Sequence, residues 1–180
     1  GNIDIKGQNV KLFYMNKIEE SDLQEPEFTD INDKQFIRAM HKCINYINFK
    51  TPKNLSVPYE MIIGHSALVS GCGTSRFVKE ANNLFGIRTW TKETPHLLPV
   101  GIEKWPGWGV RVFPSKCDSV KEYVRLLNEH PAYEDFRELR LKTNDPIALI
   151  KTLDKFSTTK DYDVRVIRMI KKIRKLEEEK

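Results

Sequence analysis

The chain has 180 residues, 39% of them hydrophobic, which suits one compact domain with a modest extension. Its net charge of +5 and pI near 9.0 fit an acidic partner, but the basic residues are dispersed and no base-reading motif appears, so nucleic acid is not expected. No run approaches the ~18 apolar residues of a membrane span, and Cys43, Cys72 and Cys117, without a Cys-x-x-Cys spacing, signal neither a disulfide framework nor a zinc site; at most one bridge can form.

Residues 1–18 mix apolar and polar positions, and Val10 to Tyr14 reads as a short strand or a docking arm. Between Glu19 and Asp33, seven carboxylates and Pro26 interrupt any periodicity, as in an exposed linker. Residues 1–32 are therefore expected to form an N-terminal arm and acidic linker, and 33–180 the folded domain. Phe36, Met40, Ile44 and Ile47 recur at helical spacing and predict a helix over 33–49 with Asp33 as its N-cap. His41 on that helix reads as a solvated or core-edge side chain, not a ligand.

Thr51-Pro52-Lys53-Asn54 breaks the chain, and Pro58 suits the first turn of a second helix over 58–70. That helix runs into Ser70-Gly71-Cys72-Gly73-Thr74-Ser75. Glycine at a helix C-terminus permits positive φ, and a second glycine two residues on lets backbone or a ligand pass close by, so this turn is the expected site. Residues 88–115 hold four prolines and three glycines among Trp90, Trp105, Trp108 and β-branched residues, which predicts an irregular β-hairpin lobe.

Ser119-Val120-Lys121-Glu122 has the form of a capping box and predicts a helix over 119–128, with Val120, Tyr123, Val124 and Leu127 on its apolar face. Asp145-Pro146 starts another helix running toward Phe156. In the last helix Val164, Ile167, Ile170 and Ile173 are expected to face inward, with Arg165, Arg168, Lys172 and Lys175 outward.

The block Ser70-Gly71-x-Gly73-Thr74-Ser75-Arg76-Phe77, followed by Asn82-Asn83-Leu84-Phe85-Gly86-Ile87 and the later run from Phe113 to Arg137, resembles the glucosaminidase domain of FlgJ- and Bax-type bacterial and phage cell-wall hydrolases, within the lysozyme superfamily. The resemblance spans about 33–176 and implies a mainly α (α+β) fold, a lysozyme-like helical domain with a small β-hairpin lobe. In the family pattern His65 stands at a Gln, Cys72 at a Trp, Phe156 at a groove-facing Tyr, and Val69 at the catalytic Glu. The lobe would wall the sugar groove. The resemblance thus implies Trp90, Trp105 and Trp108 as platforms for pyranose rings, with Asn83, Phe85 and Phe156 as further substrate-binding residues.

Glycoside hydrolysis needs an acid to protonate the leaving oxygen and a second carboxylate, or a substrate acetamido group, to meet the oxocarbenium ion. Val69 supplies neither function. Glu103 in the lobe, ahead of Glu93, is the candidate surviving groove carboxylate. Cys72 with His65 seven residues earlier lacks an orienting third residue, and free cysteine is mostly a small buried hydrophobe.

The expectation is a peptidoglycan-directed endo-β-N-acetylglucosaminidase-like domain that is catalytically impaired and retained for glycan binding, or as a structural part of an envelope or phage-tail assembly. The alternative is an active β-N-acetylglucosaminidase with a relocated acid. Glycan strands of peptidoglycan, and a larger envelope or virion assembly, are the partners implied. No cofactor and no metal are called for, and the setting implied is periplasm, cell wall or virion rather than cytoplasm.

Overall fold

The computed structural model describes Pro26, Phe28 and residues 32–179; the Val10 to Tyr14 segment and most of the acidic linker lie outside these residues. In chain order the elements are α1 (Asp33–Lys50), a 3₁₀ turn (Lys53–Leu55), α2 (Tyr59–Ser70), α3 (Arg76–Ala81), β1 (Arg88–Thr89), β2 (His96–Leu97) and β3 (Gly109–Arg111). They continue with α4 (Lys116–Glu129), a second 3₁₀ turn (Pro131–Tyr133), α5 (Glu134–Arg140), α6 (Pro146–Ile150) and α7 (Tyr162–Glu178). The fold is mainly helical with one small antiparallel sheet. No helix among the described residues is long and apolar enough to cross a membrane.

The first helix begins one residue earlier in its capping than the sequence suggests. Asn32, not Asp33, is the N-cap: its side chain accepts from the Gln35 amide at 2.9 Å while Gln35 Oε1 accepts from the Asn32 amide at 3.0 Å. This reciprocal box satisfies two amides that the first turn would leave bare, and Asp33 is freed to meet Lys172 Nζ at 3.2 Å. Phe28, from the segment read as exposed linker, is buried and packs edge-on against Phe36, with ring centroids 6.0 Å apart. An aromatic ring gains more from the core than from water, so the chain folds onto the domain before α1 begins.

Helix α2 is the axis of the domain. Met61, Ile62, Ile63, Gly64, His65, Ser66 and Ala67 are consecutive and all buried, so the helix is enclosed on every face instead of one. Helices α1, α6 and α7 surround it. The crossing with α7 is close because residue 64 is glycine: a Cβ there would stand 2.7 Å from Ile170 Cγ1. Gly64→Ala is therefore expected to cost about 1–3 kcal/mol through overpacking. The measurement is a lowered denaturant midpoint at unchanged slope; an unchanged midpoint would show that Ile170 yields freely.

Several boundaries differ from the sequence expectation. Helix α4 starts at Lys116, capped by Ser115, whose side chain accepts from the Asp118 amide. Ser119 lies one turn inside, buried, with its hydroxyl donating to Lys116 O and accepting from Leu84 N. The helix opened by Asp145 and Pro146 stops at Ile150, and turns carry the chain on to Phe156. In α7 the buried stripe is Tyr162, Val166, Ile170 and Ile173, while Ile167 is half-buried and Val164 is 44% exposed. Burial of Tyr162 sets the phase, and residues four and eight positions on follow it inward.

The lobe is a three-stranded sheet in the order β1-β3-β2, not a simple hairpin, with Arg88 opposite Val110 and His96 opposite Arg111. Cys43 and Cys117 form a disulfide between α1 and α4 across 74 residues of chain. In the chain-entropy account a loop of that length contributes about 4 kcal/mol. The sequence shows room for one bridge; only the packing of α1 on α4 selects these two cysteines.

Candidate functional site

The glycine turn after α2 is built by backbone geometry that few sequences permit. Gly71, Cys72 and Gly73 have φ of 58°, 53° and 83° in succession. Ser70 holds the turn together, its Oγ accepting from the Gly73 amide at 3.0 Å and its carbonyl accepting from the Thr74 and Ser75 amides. Cys72, half-buried, packs beside Asp33, and burial with that carboxylate pushes its thiol up to about 11. It is thus a poor nucleophile at neutral pH.

The Asn82-Asn83 pair explains itself as scaffold. Asn82 caps α3 in a left-handed conformation, and its amide donates to Phe113 O at 3.0 Å. Buried Asn83 donates to Ile87 O at 2.9 Å and Arg111 O at 2.8 Å, while its Oδ1 accepts from the Phe85 and Ile87 amides. Two amide side chains so engaged tie α3 to the sheet, and Asn83 has no polar atom left over for a ligand.

Beyond this clamp lies a groove of about 610 Å³ between the end of α2, the Phe85–Trp90 segment, the second 3₁₀ turn and the Lys155–Thr159 loop. Val69 lines it at the last turn of α2. Gly86, at φ 66°, carries the chain directly past Val69: a Cβ on Gly86 would sit 3.4 Å from Val69 Cγ1. Phe156 and Trp90 supply aromatic surface to the groove, Trp90 being 68% exposed, while the Phe85 and Tyr133 rings are buried in its wall.

Beneath the groove is an aromatic cluster centred on His65, which is wholly buried. Its Nδ1 pairs with Tyr123 Oη at 2.9 Å, and its Nε2 pairs with Tyr162 Oη. A neutral imidazole has one N–H and one bare nitrogen, so one tyrosine hydroxyl donates to the ring and the other accepts from it. Burial pushes His65 down to about 3 and both tyrosines up, so all three groups are neutral at ordinary pH. Phe85 stacks on Tyr123 with centroids 4.2 Å apart, and Phe156 meets His65 edge-on at 4.4 Å. The groove floor is therefore apolar, held from below by the Tyr123–His65–Tyr162 hydrogen-bond chain.

The structure brings together Val69, Phe85, Phe156 and Trp90, and leaves the other expected residues outside the groove lining. Trp105 is packed edge-on to His96 at 4.6 Å, and Trp108 lies under the Arg88 guanidinium at 3.9 Å. Glu103 is exposed on the lobe and does not line the groove. Arg88, His130, Lys155 and Arg165 do line it, and among the described residues no Asp or Glu does. Those four basic side chains come from distant parts of the chain, so no local spacing marks them in the sequence. Two larger depressions, of about 870 Å³ beside Glu60 and Arg174 and about 730 Å³ beside Leu55 and Arg140, lie elsewhere. The first is lined by charges already paired with each other, as His41 with Glu177 at 2.8 Å and Glu60 with Arg174.

A mainly helical domain whose central helix ends at an open groove, beside the first strand of a small sheet, defines the class. The glucosaminidase family model, described as mannosyl-glycoprotein endo-β-N-acetylglucosaminidase, matches residues 49–175, and the chain belongs to this family. Protein bax of Escherichia coli strain K12 is 36% identical over 84 residues, 47% of this chain and 28% of that protein, so the chain matches well under a third of this relative's length. Two solved structures share the fold. The glycoside hydrolase domain of Salmonella typhimurium FlgJ aligns with a TM-score of 0.60 at 20% identity, covering 82% of this chain and 92% of that domain. The catalytic domain of the autolysin Auto from Listeria monocytogenes aligns with a TM-score of 0.58 at 17% identity, covering 87% and 93%.

Proposed function

We propose that this glucosaminidase-family domain binds the glycan strands of peptidoglycan in the Val69 groove without cutting them efficiently. One observation carries the reading: the groove lining contains aromatic faces and hydroxyls suited to sugar rings but no carboxylate among the described residues. Phe156 and Trp90 offer surface to the C–H faces of pyranoses, and Ser157, Thr158 and Thr159 offer donors and acceptors to their hydroxyls. Hydrolysis needs a proton donor at the glycosidic oxygen, and valine at position 69 has none. The exposed position of Glu103 outside the groove counts against a relocated acid.

Such a domain serves as a glycan-binding or structural component of an envelope or virion assembly. The Cys43–Cys117 disulfide fits the oxidising surroundings in which such assemblies work.

The test is co-sedimentation with purified peptidoglycan alongside an assay for released reducing ends. Binding with at most trace release is the expected result. Vigorous release lost in Glu103→Gln would overturn it in favour of the relocated acid, and absence of binding would overturn the glycan reading itself. Trp90→Ala is expected to weaken binding of chito-oligosaccharides by about 1–3 kcal/mol, the value of one large ring covering a sugar. Titration calorimetry reads it, and an unchanged affinity would remove Trp90 from the binding face.

A further inference from the structure

We propose that the groove selects carboxylate-bearing glycan over neutral glycan, an inference that rests on the glycan-binding reading above. Three permanent cations line it, Arg88, Lys155 and Arg165, together with His130, and no Asp or Glu among the described residues faces them. Some surface cations elsewhere are paired, as Arg76 with Glu80 at 2.8 Å, Arg125 with Glu129 at 2.8 Å and Lys172 with Asp33 at 3.2 Å, while others, such as Lys79, Lys121 and Arg168, have no carboxylate within ion-pair distance among the described residues. The groove cations are distinguished by lining one cleft together. Lys155 and Arg165 are exposed and have no carboxylate within ion-pair distance among the described residues, and Arg88 is engaged by the Trp108 ring at 3.9 Å instead of by an anion. Asp154, Asp161 and Asp163 are close in sequence but do not line the groove.

Unpaired cations on the walls of a cleft concentrate an anionic ligand. Valine at position 69 adds no charge to the groove. The floor narrows the choice further. Phe156 and the exposed Trp90 present apolar ring surface, which a sugar covers and a ring-free phosphate polymer leaves wet. The ligand chemistry that satisfies both walls and floor is a pyranose strand carrying carboxylates, whether on the lactyl ether of a peptide-free muramyl residue or on an attached stem peptide.

The experiment titrates the full chain with three ligands of equal sugar number: chito-oligosaccharide, peptide-free murein strands and peptide-bearing murein fragments. Peptide-free strands, peptide-bearing fragments or both should bind about tenfold more tightly than chito-oligosaccharide at low salt. That lead should shrink at about 0.3 M salt, where exposed charges are screened within several ångströms, and in Lys155→Gln combined with Arg165→Gln. A lead held by peptide-free strands places the carboxylate on the sugar, and a lead held only by the fragments places it on the stem. Equal affinity for neutral and charged strands overturns this inference while leaving glycan binding in place; no binding to any sugar overturns both. Tighter binding of poly(glycerol phosphate) than of either murein ligand also overturns it. Both glutamine substitutions fall at exposed positions, and an unchanged melting temperature confirms that the fold is intact.

Discussion

Val69→Glu is expected to confer measurable hydrolysis of purified peptidoglycan on a chain that otherwise releases at most trace reducing ends. The side chain lies in the last turn of α2, half-buried beside Leu68 and in a groove lined by Phe85 and Phe156. Two local effects there favour a protonated carboxyl. Apolar neighbours strip water from the charged form, and the negative end of the α2 dipole disfavours an anion. The groove cations act in the opposite direction, but Arg88, Lys155 and Arg165 are all exposed, so solvent and salt screen them.

The acid should therefore be protonated on the acidic side of neutrality, which is the state a proton donor needs. A positioned acid contributes about 10² to 10⁴ in rate, and that is the gain expected in reducing-end release. Activity should rise as pH falls, and Phe156→Tyr, which adds a hydroxyl to the groove, should raise it further. Silence in Val69→Glu, alone and combined with Phe156→Tyr, would show that more than the acid has been lost.

The second large effect is acid lability centred on His65. Its pKa lies near 3 in the folded chain because burial excludes the imidazolium, against about 6.5 in the unfolded chain. The sign follows from linkage. Between those values the unfolded chain binds a proton that the folded chain refuses, so stability is complete above pH ~6.5 and falls as pH drops toward 3. Each pH unit in that window is worth about 1.4 kcal/mol, and the full window 4–5 kcal/mol.

Between pH 7.5 and 5.0 the parent should lose about 2 kcal/mol of unfolding free energy, measured by denaturant titration. Asp33, held low chiefly by its hydrogen bond to Lys172, loses its stabilising charge only at more acid pH and does not add to this loss. His65→Gln keeps a donor and an acceptor for Tyr123 and Tyr162 and cannot titrate, so its stability should be nearly flat over the same interval. Equal slopes for parent and variant would mean that His65 is solvated before the chain unfolds. The comparison depends on slopes, so any packing cost of the substitution at pH 7.5 does not enter.

Much of this protein is fixed by local chemistry that can be read along the chain. Helices α1 and α2, the left-handed stop at Gly71 and the proline-led start of α6 follow from apolar spacing and from backbone conformations that glycine and proline favour. The blocks around Gly71–Phe77 and Asn82–Ile87 also carry the family, because turns and asparagine clamps tolerate few residues. The absence of an acid at position 69 is equally a fact of sequence.

What the sequence leaves open depends on which distant residues meet. Nothing near Cys43 selects Cys117 over Cys72; the approach of α1 to α4 does. The short helices α3 and α5 offer too few turns for a periodic signal and are held by tertiary contacts. Three tryptophans look alike in the chain, yet the pairing of β1 and β2 with β3 turns Trp90 to the groove while Trp105 meets His96 and Trp108 meets Arg88. The cationic lining has the same origin. Arg88, His130, Lys155 and Arg165 become neighbours of one groove only when the lobe, the second 3₁₀ turn and α7 close around the end of α2, because surface charge is set by packing geometry and not by sequence spacing.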